Sequence, residues 1–237
     1  MKKTSIIVLA YKEPAKFKIM FDKLVKNINR ADTPYEIIIL LNGADKGIRE
    51  FLSPDNLWYY VAKYDLNFHI IDKPRNLGAS KGYNAAVKCA TGHYLCFFNS
   101  DYYMQKDWLK SMIECFEHQK NIGIVSCCTN ETGNADEKCA SITDLKGDFK
   151  ESECAIAQMF TTKNIFDEVN GFDEDYIAGF LDLDFNERIK AKGYKAFVNR
   201  KTFGYHDYNS ANKYCAGHRE LFRKKWGDQI ADRYKWA

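Results

Sequence analysis

Residues 94–98, Tyr94-Leu95-Cys96-Phe97-Phe98, are apolar without a break, and the chain then turns abruptly to Asn99-Ser100-Asp101. A strand with no polar alternation has to be covered on both faces, which points to a sheet with helices on either side. A second buried strand is predicted at residues 5–10. In sheets of this kind ligands gather at the carboxyl ends of the strands, so polar residues that stop an apolar strand are candidate site residues. Their other reading is an ordinary Asn-Ser-Asp turn.

Alternation extends the argument along the chain. After the first strand, Phe17, Met20, Phe21, Leu24, Val25 and Ile28 recur at helical spacing in a helix from about Pro14. Strands are expected at residues 36–41, 68–71 and 94–99, with helices at 45–52 and 80–90 between them. Strands alternating with helices predict an α/β fold, a Rossmann-like, doubly wound, mainly parallel sheet flanked by helices. Trp108, Met112, Ile113 and Phe116 mark a further helix, and residues 122–127 a further strand. Residues 129–153 turn polar, with Gly133, Asn134 and Gly147, and are read as a long functional or mobile flap on the acceptor side. Beyond them lie a strand at 154–161, a helix at 164–169 and a turn at Gly171-Phe172-Asp173-Glu174. A helix at 181–192 closed by Gly193 then leads to a strand at 195–198.

With 237 residues and 46% hydrophobic content the chain can bury one substantial core, so a single domain over 1–237 is expected. Its parts are a nucleotide-binding half (1–101), an acceptor half (102–210) and an amphipathic helical tail (211–237). In the tail Leu221, Phe222, Trp226 and Ile230 share one stripe. Packing is the expectation there; basic residues among Trp226, Tyr234 and Trp236 leave peripheral membrane contact as the alternative. A formal charge of +3 announces no polybasic field, although nucleic acid stays open as a partner. Eight cysteines include no C-x-x-C pair, so zinc has no evident clamp. The apolar run after Met1-Lys2-Lys3 is too short for a signal peptide, and no stretch is long enough to span a membrane. Free thiols then suit a reducing cytoplasm.

Three features converge on one chemistry: Asn99-Ser100-Asp101, the pair Asp182 and Asp184 at a helix start, and His206 beyond a late strand. Cleaving a nucleotide diphosphate bond needs a cation for the leaving phosphates and a carboxylate to take the proton of an incoming hydroxyl. Asn99 and Asp101 point the same way if strand geometry persists, and their oxygens suit a hard cation. Asp184 fits a capping box with Glu187, which leaves Asp182 just outside the helix and facing a cleft. His206 offers a neutral imidazole to Mn²⁺ or Mg²⁺, whereas His69, His93, His118 and His218 are read as structural. Gly78 and Gly82 permit close approach of backbone to a ligand, and Arg75 offers a planar donor fork.

Taken in order, residues 5–13, Arg75-Asn76-Leu77-Gly78, Phe98-Asn99-Ser100-Asp101, Gly171-Phe172-Asp173-Glu174, Asp182-Leu183-Asp184 and His206 resemble the family 2 glycosyltransferases of GT-A fold, over about residues 5–210. The resemblance implies an inverting, metal-dependent transfer of a sugar from a nucleotide-diphosphate sugar, a UDP-sugar by expectation, to a hydroxyl of a glycan or other acceptor. It puts Ala10, Tyr11, Glu13, Asn42, Arg75, Asn76, Gly78, Asn99 and Ser100 near the donor, Asp101 and His206 at the Mn²⁺ or Mg²⁺, and Asp182 as the base.

Two positions depart from the family pattern. Leu41, followed by Asn42-Gly43, stands where an aspartate commonly meets the base, and Leu181 replaces the usual glutamate before the catalytic aspartate. A sugar-phosphate nucleotidyltransferase would need a glycine-rich loop where the chain has Ala10-Tyr11-Lys12-Glu13-Pro14. A non-catalytic sugar-nucleotide or glycan-binding module is the alternative outside catalysis, and a modified nucleic-acid base or a protein the alternative acceptor.

Overall fold

The computed structural model describes residues 2–28, 33–207 and 215–235. Among them nine strands make one sheet: β1 (Thr4–Ala10), β2 (Tyr35–Asn42), β3 (Phe68–Lys73), β4 (Tyr94–Phe98), β5 (Tyr102–Met104), β6 (Ile122–Thr129), β7 (Phe149–Ser152), β8 (Phe160–Thr162) and β9 (Lys195–His206). Their spatial order is β3-β2-β1-β4-β8-β6-β9-β5, with β7 paired to the first part of β9. β1 to β4 run parallel, β8 is antiparallel to both its neighbours, and β6 and β9 are again parallel. The chain lays β2 and β3 on one side of β1 and then crosses to put β4 on the other. The connections therefore diverge at the carboxyl ends of β1 and β4 and leave a crevice there.

The helices, in chain order, are α1 (Pro14–Lys26), α2 (Lys46–Phe51), α3 (Pro54–Tyr64), α4 (Ala79–Val87), α5 (Trp108–His118), α6 (Lys163–Glu168), α7 (Leu181–Ala191), α8 (Cys215–Trp226) and α9 (Asp228–Ala231). The strand period of two sends Ile6, Val8, Ile37 and Ile39 to one face, where Phe17, Phe21, Ile48, Tyr60 and Trp108 of α1, α2, α3 and α5 pack. Ile7, Ile38 and Leu40 point the other way, to Tyr83, Phe166, Phe185 and Phe222 of α4, α6, α7 and α8. Both faces are thus covered, as the unbroken apolar run in β4 requires.

Local chemistry sets several boundaries. Pro14 opens α1 after Glu13, which takes a left-handed conformation (φ 62°). The Asp45 carboxylate accepts from the Ile48 amide at 3.1 Å and caps α2. Gly193 (φ 85°) takes the left-handed position after α7, and its amide reaches the Lys190 carbonyl at 2.9 Å.

Four expectations need correction. α3 was not anticipated from the sequence; its Ser53-Pro54 start is a good helix entry, but only Leu57 and Tyr60 are buried, so the apolar periodicity is thin. The strand expected over 154–161 is only Phe160–Thr162, because the preceding backbone is held by side chains: the Ala155 amide donates to Asn186 at 2.8 Å, and the Ile156 and Ala157 amides to Glu137 at 2.7 and 3.0 Å. Residues 129–153 are not a bare flap: they contain β7, and buried Glu137 ties them to the sheet through Ser126 Oγ at 2.6 Å. β9 runs on past Val198 to His206, where a register shift against β6 at Cys127/Cys128 lets it bend and pair with β5.

The apolar stripe of the tail faces inward: Phe222 is buried, and Leu221, Trp226 and Ile230 pack against the same core. Arg223 pairs with Asp228 and Asp232, Lys225 with Asp173 and Asp184, and Arg233 with Glu153. Trp236 lies outside the described residues. No helix among the described residues is long and apolar enough to cross a membrane.

Candidate active site

At the end of β4 the chain turns at once, with the Tyr102 amide pointing back to the Asn99 carbonyl at 3.4 Å. The expected strand geometry therefore stops at Phe98, and Asn99 and Asp101 diverge. Asn99 Oδ1 accepts from the buried Tyr83 hydroxyl at 2.7 Å, so this side chain is oriented by α4. Asp101 turns toward β9, where its Oδ2 lies 3.4 Å from His206 Nε2. Its Oδ1 is buried and has no hydrogen-bond partner. A buried carboxylate oxygen left unpaired is costly in the free protein, and a bound cation is the ligand type that removes the cost.

His206 is fixed on every side. Its ring stacks on Tyr102 with centroids 4.2 Å apart, and Nδ1 lies 3.0 Å from the Glu131 carbonyl oxygen. Its backbone is paired twice with the Asn130 side-chain amide, at 2.7 and 3.0 Å. Nδ1 faces a carbonyl oxygen and so carries a proton, and Nε2 is the ring atom turned toward Asp101. Burial acts to lower the imidazole pKa, but the Asp101 carboxylate and the Glu131 carbonyl outweigh it and raise the value.

Asp182 lies within the first turn of α7, not outside it. Phe180, in a left-handed conformation (φ 59°), starts the helix in place of the expected cap at Asp184. Asp184 is fully buried and acts across helices: its carboxylate accepts from Arg188 Nε at 2.7 Å and Trp226 Nε1 at 2.9 Å, with Lys225 Nζ at 2.8 Å. Glu187 does not reach back to close a capping box, because it bonds the Tyr234 hydroxyl and Lys190. Asp182 Oδ1 accepts from the Leu183 amide at 2.9 Å. Burial raises the Asp182 pKa, while hydrogen bonds from the Leu183 amide and its own amide oppose the shift. Burial pushes the Tyr102 phenol well above its ordinary range, and nearby acidic groups add to the shift.

The residues expected at the donor gather at the ends of β1, β2 and β3. Ala10 is buried at the end of β1, and Tyr11 beyond it is exposed. The Tyr11 phenol is lowered by a hydrogen bond with Asn76 and by Lys12. Asn42 braces the 76–78 loop from below: its Oδ1 accepts from the Leu77 amide at 2.8 Å, while its Nδ2 donates to Asn76 Oδ1 and the Gly78 carbonyl, each at 3.0 Å. Its amide is therefore engaged with the loop, whereas Arg75 and Asn76 above it are exposed. Gly43 (φ 67°) has to be glycine, since a Cβ would lie 2.6 Å from the Asn76 amide nitrogen. Glu13 and Ser100 lie on the turns after β1 and β4.

Sequence reasoning missed the parts that orient these groups: Tyr83, Tyr102, Asn130, Glu137, and Lys16, whose Nζ donates to the Asp207 carbonyl at 3.0 Å. None carries a motif, and each has a partner far along the chain: Tyr83 reaches Asn99, Tyr102 and Asn130 reach His206, and Glu137 reaches Ile156 and Ala157. Two open grooves, of about 550 Å³ beside α1–α3 and about 400 Å³ beside α1 and β5, contain none of Asp101, Asp182 or His206. No three His, Cys, Asp or Glu side chains among the described residues come together to hold a metal.

The fold is that of GT-A glycosyltransferases. Over 99% of this chain and 50% of that chain it matches GalNAc-T7, solved with UDP, GalNAc and Mn²⁺, at a TM-score of 0.75 and 14% identity. It matches mannosyltransferase PcManGT from Pyrobaculum calidifontis, solved with GDP-Man and Mn²⁺, at 0.71 and 15% identity over 96% of this chain and 65% of that one. In sequence it is 29% identical over 120 residues to the uncharacterized glycosyltransferase YfnE of Bacillus subtilis (strain 168), covering 51% of this chain and 28% of the relative. It is 28% identical over 133 residues to a Methanococcus voltae dolichyl N-acetyl-alpha-D-glucosaminyl phosphate 3-beta-D-2,3-diacetamido-2,3-dideoxy-beta-D-glucuronosyltransferase, over 49% of this chain and 41% of that protein. The chain thus spans less than half the length of either curated relative. The sequence model of Glycosyl transferase family 2 matches residues 5–224, nearly the whole chain, and the chain belongs to that family.

Proposed function

We propose that this glycosyltransferase transfers a sugar, with inversion, from a nucleoside-diphosphate sugar to an acceptor hydroxyl, using Asp182 as base and Asp101 with His206 as the protein's ligands to a divalent cation. The observation that carries the reading is the buried, unpartnered Asp101 Oδ1 beside the fixed imidazole of His206, at the crevice where the strand order reverses. One carboxylate and one imidazole suit Mn²⁺ or Mg²⁺, with substrate phosphates completing the set. When bound, such an ion neutralises charge on the departing diphosphate.

The chain's own residues do the rest. Tyr11 and Arg75 lie at the donor's edge; Asn76 and Asn42 hold the 76–78 loop in shape, and Gly78 is required where that loop meets Ile177 rather than for close approach of a ligand. Asn99, oriented by Tyr83, faces the same crevice. A carboxyl whose pKa is raised by burial is a better proton acceptor than an ordinary aspartate, which suits Asp182 to take the acceptor proton as the hydroxyl attacks the anomeric carbon. Leu41 in place of the usual base-binding aspartate leaves the nucleotide open, and UDP is the first donor series to try. The relatives' named substrates differ from one another, so the acceptor is taken only as a hydroxyl compound.

The test measures release of free nucleoside diphosphate from a panel of UDP- and GDP-sugars, with and without Mn²⁺, because slow donor hydrolysis needs no acceptor. Metal-dependent release from one donor is expected, falling at least about a hundredfold in Asp101→Ala. Release that ignores both metal and the substitution would remove Asp101 from the metal site.

A further inference from the structure

The segment between α6 and α7 connects both halves of the site. At one end it lies over the start of α4: the Ala79 amide donates to the Ile177 carbonyl and Ser80 Oγ to the Tyr176 carbonyl, each at 2.6 Å. Contact is close enough that a Cβ on Gly78 (φ 82°) would lie 2.8 Å from Ile177 Cγ2 and 2.9 Å from its carbonyl oxygen. At its other end the segment passes through Phe180 into the turn of α7 that bears Asp182. Between these contacts the segment is open to solvent, with Ile177 59% exposed.

One side chain from the tail fills that gap. His218, on α8, places Nδ1 2.5 Å from the Ala178 carbonyl oxygen and Nε2 3.4 Å from the Ile177 amide nitrogen. Only a neutral imidazole with its proton on Nδ1 satisfies both, donating to the carbonyl and accepting from the amide. The ring also meets Tyr176 edge-on, with centroids 5.8 Å apart. α8 is itself anchored through buried Phe222 and through Trp226 and Lys225 on Asp184, one turn along α7 from the segment's end.

We propose that His218 is a positioning residue for glycosyl transfer: by pinning Ile177 and Ala178 from both sides of one ring it holds the donor loop at Gly78–Ala79 in place relative to Asp182. The proposal deepens the reading of the site given above and rests on it for its kinetic arm only.

Hydrogen exchange, read without substrate, tests the brace in wild type, His218→Ala and His218→Gln; the glutamine amide keeps one donor and one acceptor at similar separation. Loss of two hydrogen bonds is expected to speed exchange of the Ile177 and Ala79 amides about tenfold or more in His218→Ala, with β2 amides unchanged and His218→Gln close to wild type. Donor hydrolysis is expected to show a KM raised about tenfold with kcat changed less, again restored by glutamine. Unchanged exchange at Ile177 and Ala79 would overturn the brace whatever the activity, and faster exchange with an unaltered donor KM would overturn its role in positioning. Should His218→Ala not fold, His218→Phe, which keeps a ring beside Tyr176 without either nitrogen, carries the same comparison. Wild-type silence on all donors would count against the functional reading alone, since exchange still decides the brace.

Discussion

At the scale of single residues, the two aspartates of the proposed site are set apart by their partners. Asp101 has one oxygen near His206 and one buried without a partner, a state suited to a cation. Asp182 accepts from backbone amides, and burial raises its pKa, a state suited to a proton. Asp182→Asn keeps size and most polarity, so binding of nucleoside diphosphate with Mn²⁺ should stay within about twofold of wild type by calorimetry. Transfer should fall at least about a hundredfold, the usual weight of a general base. An active Asp182→Asn protein would place the base elsewhere. Asp184, two residues on, reads in the sequence as a helix cap; its three cationic or N–H partners make it structural in another way, as a tie between α7 and the tail.

At the scale of elements, α7 is the piece to which site and tail are both attached. Its buried carboxylates, Asp184 and Glu187, face Arg188, Lys190, Trp226 and Tyr234, so α8 and the following turn are bound to α7 by paired charge as well as by Phe222. Removing one member of a buried pair leaves the others desolvated and unmatched. Asp184→Ala should therefore cost about 3–5 kcal/mol, seen as a fall in denaturant midpoint and a Tm lower by roughly 10 °C. A loss under about 1 kcal/mol would mean that the pair is solvated in solution. The described part of the tail's stripe is used within the molecule: its apolar side packs on the core and several of its cations are paired.

At the scale of the whole molecule, two buried carboxylates at different places shape stability against pH. Glu137 is pushed up to about 7 by burial, against hydrogen bonds from Ser126, the Ile156 amide, Thr132 and the Ala157 amide. Its folded state holds a proton that an unfolded chain releases near its ordinary 4.5, so its contribution is full below that pH and is lost as pH rises through 7. Glu36 is opposed by burial but brought down to about 2 by Lys3, Ser5 and Thr91, so its contribution is present above 4.5 and lost as pH falls through 2. Stability should then be greatest near pH 4.5 and decline by a quantity on the order of 3 kcal/mol between pH 4.5 and 8. Urea melts of wild type and Glu137→Gln would check this, since the neutral-range decline should disappear in the variant. An identical decline in both would assign it to other groups.

Much of this molecule was legible in its sequence because the signals were local. Unbroken apolar runs at β1 and β4 demand cover on both faces, helical spacing marks α1 and α5, and a strand that ends in Asn99-Ser100-Asp101 marks the rim of the sheet. Motif order along the chain then pointed to the family that nearly its whole length matches. Other features were set by contacts between distant segments. Glu137 holds backbone that the sequence reads as part of a longer strand, the Trp226 indole claims Asp184, and His206 meets Asp101 only because β9 bends and pairs with β5. His218 looked ordinary because its two partners lie about 40 residues away. The physical division is that hydrophobic period and turn chemistry act over a few residues, and so determine strands, helices and their layering from sequence. A hydrogen bond or ion pair between remote side chains depends on where the packed layers bring them, and only the tertiary structure decides that.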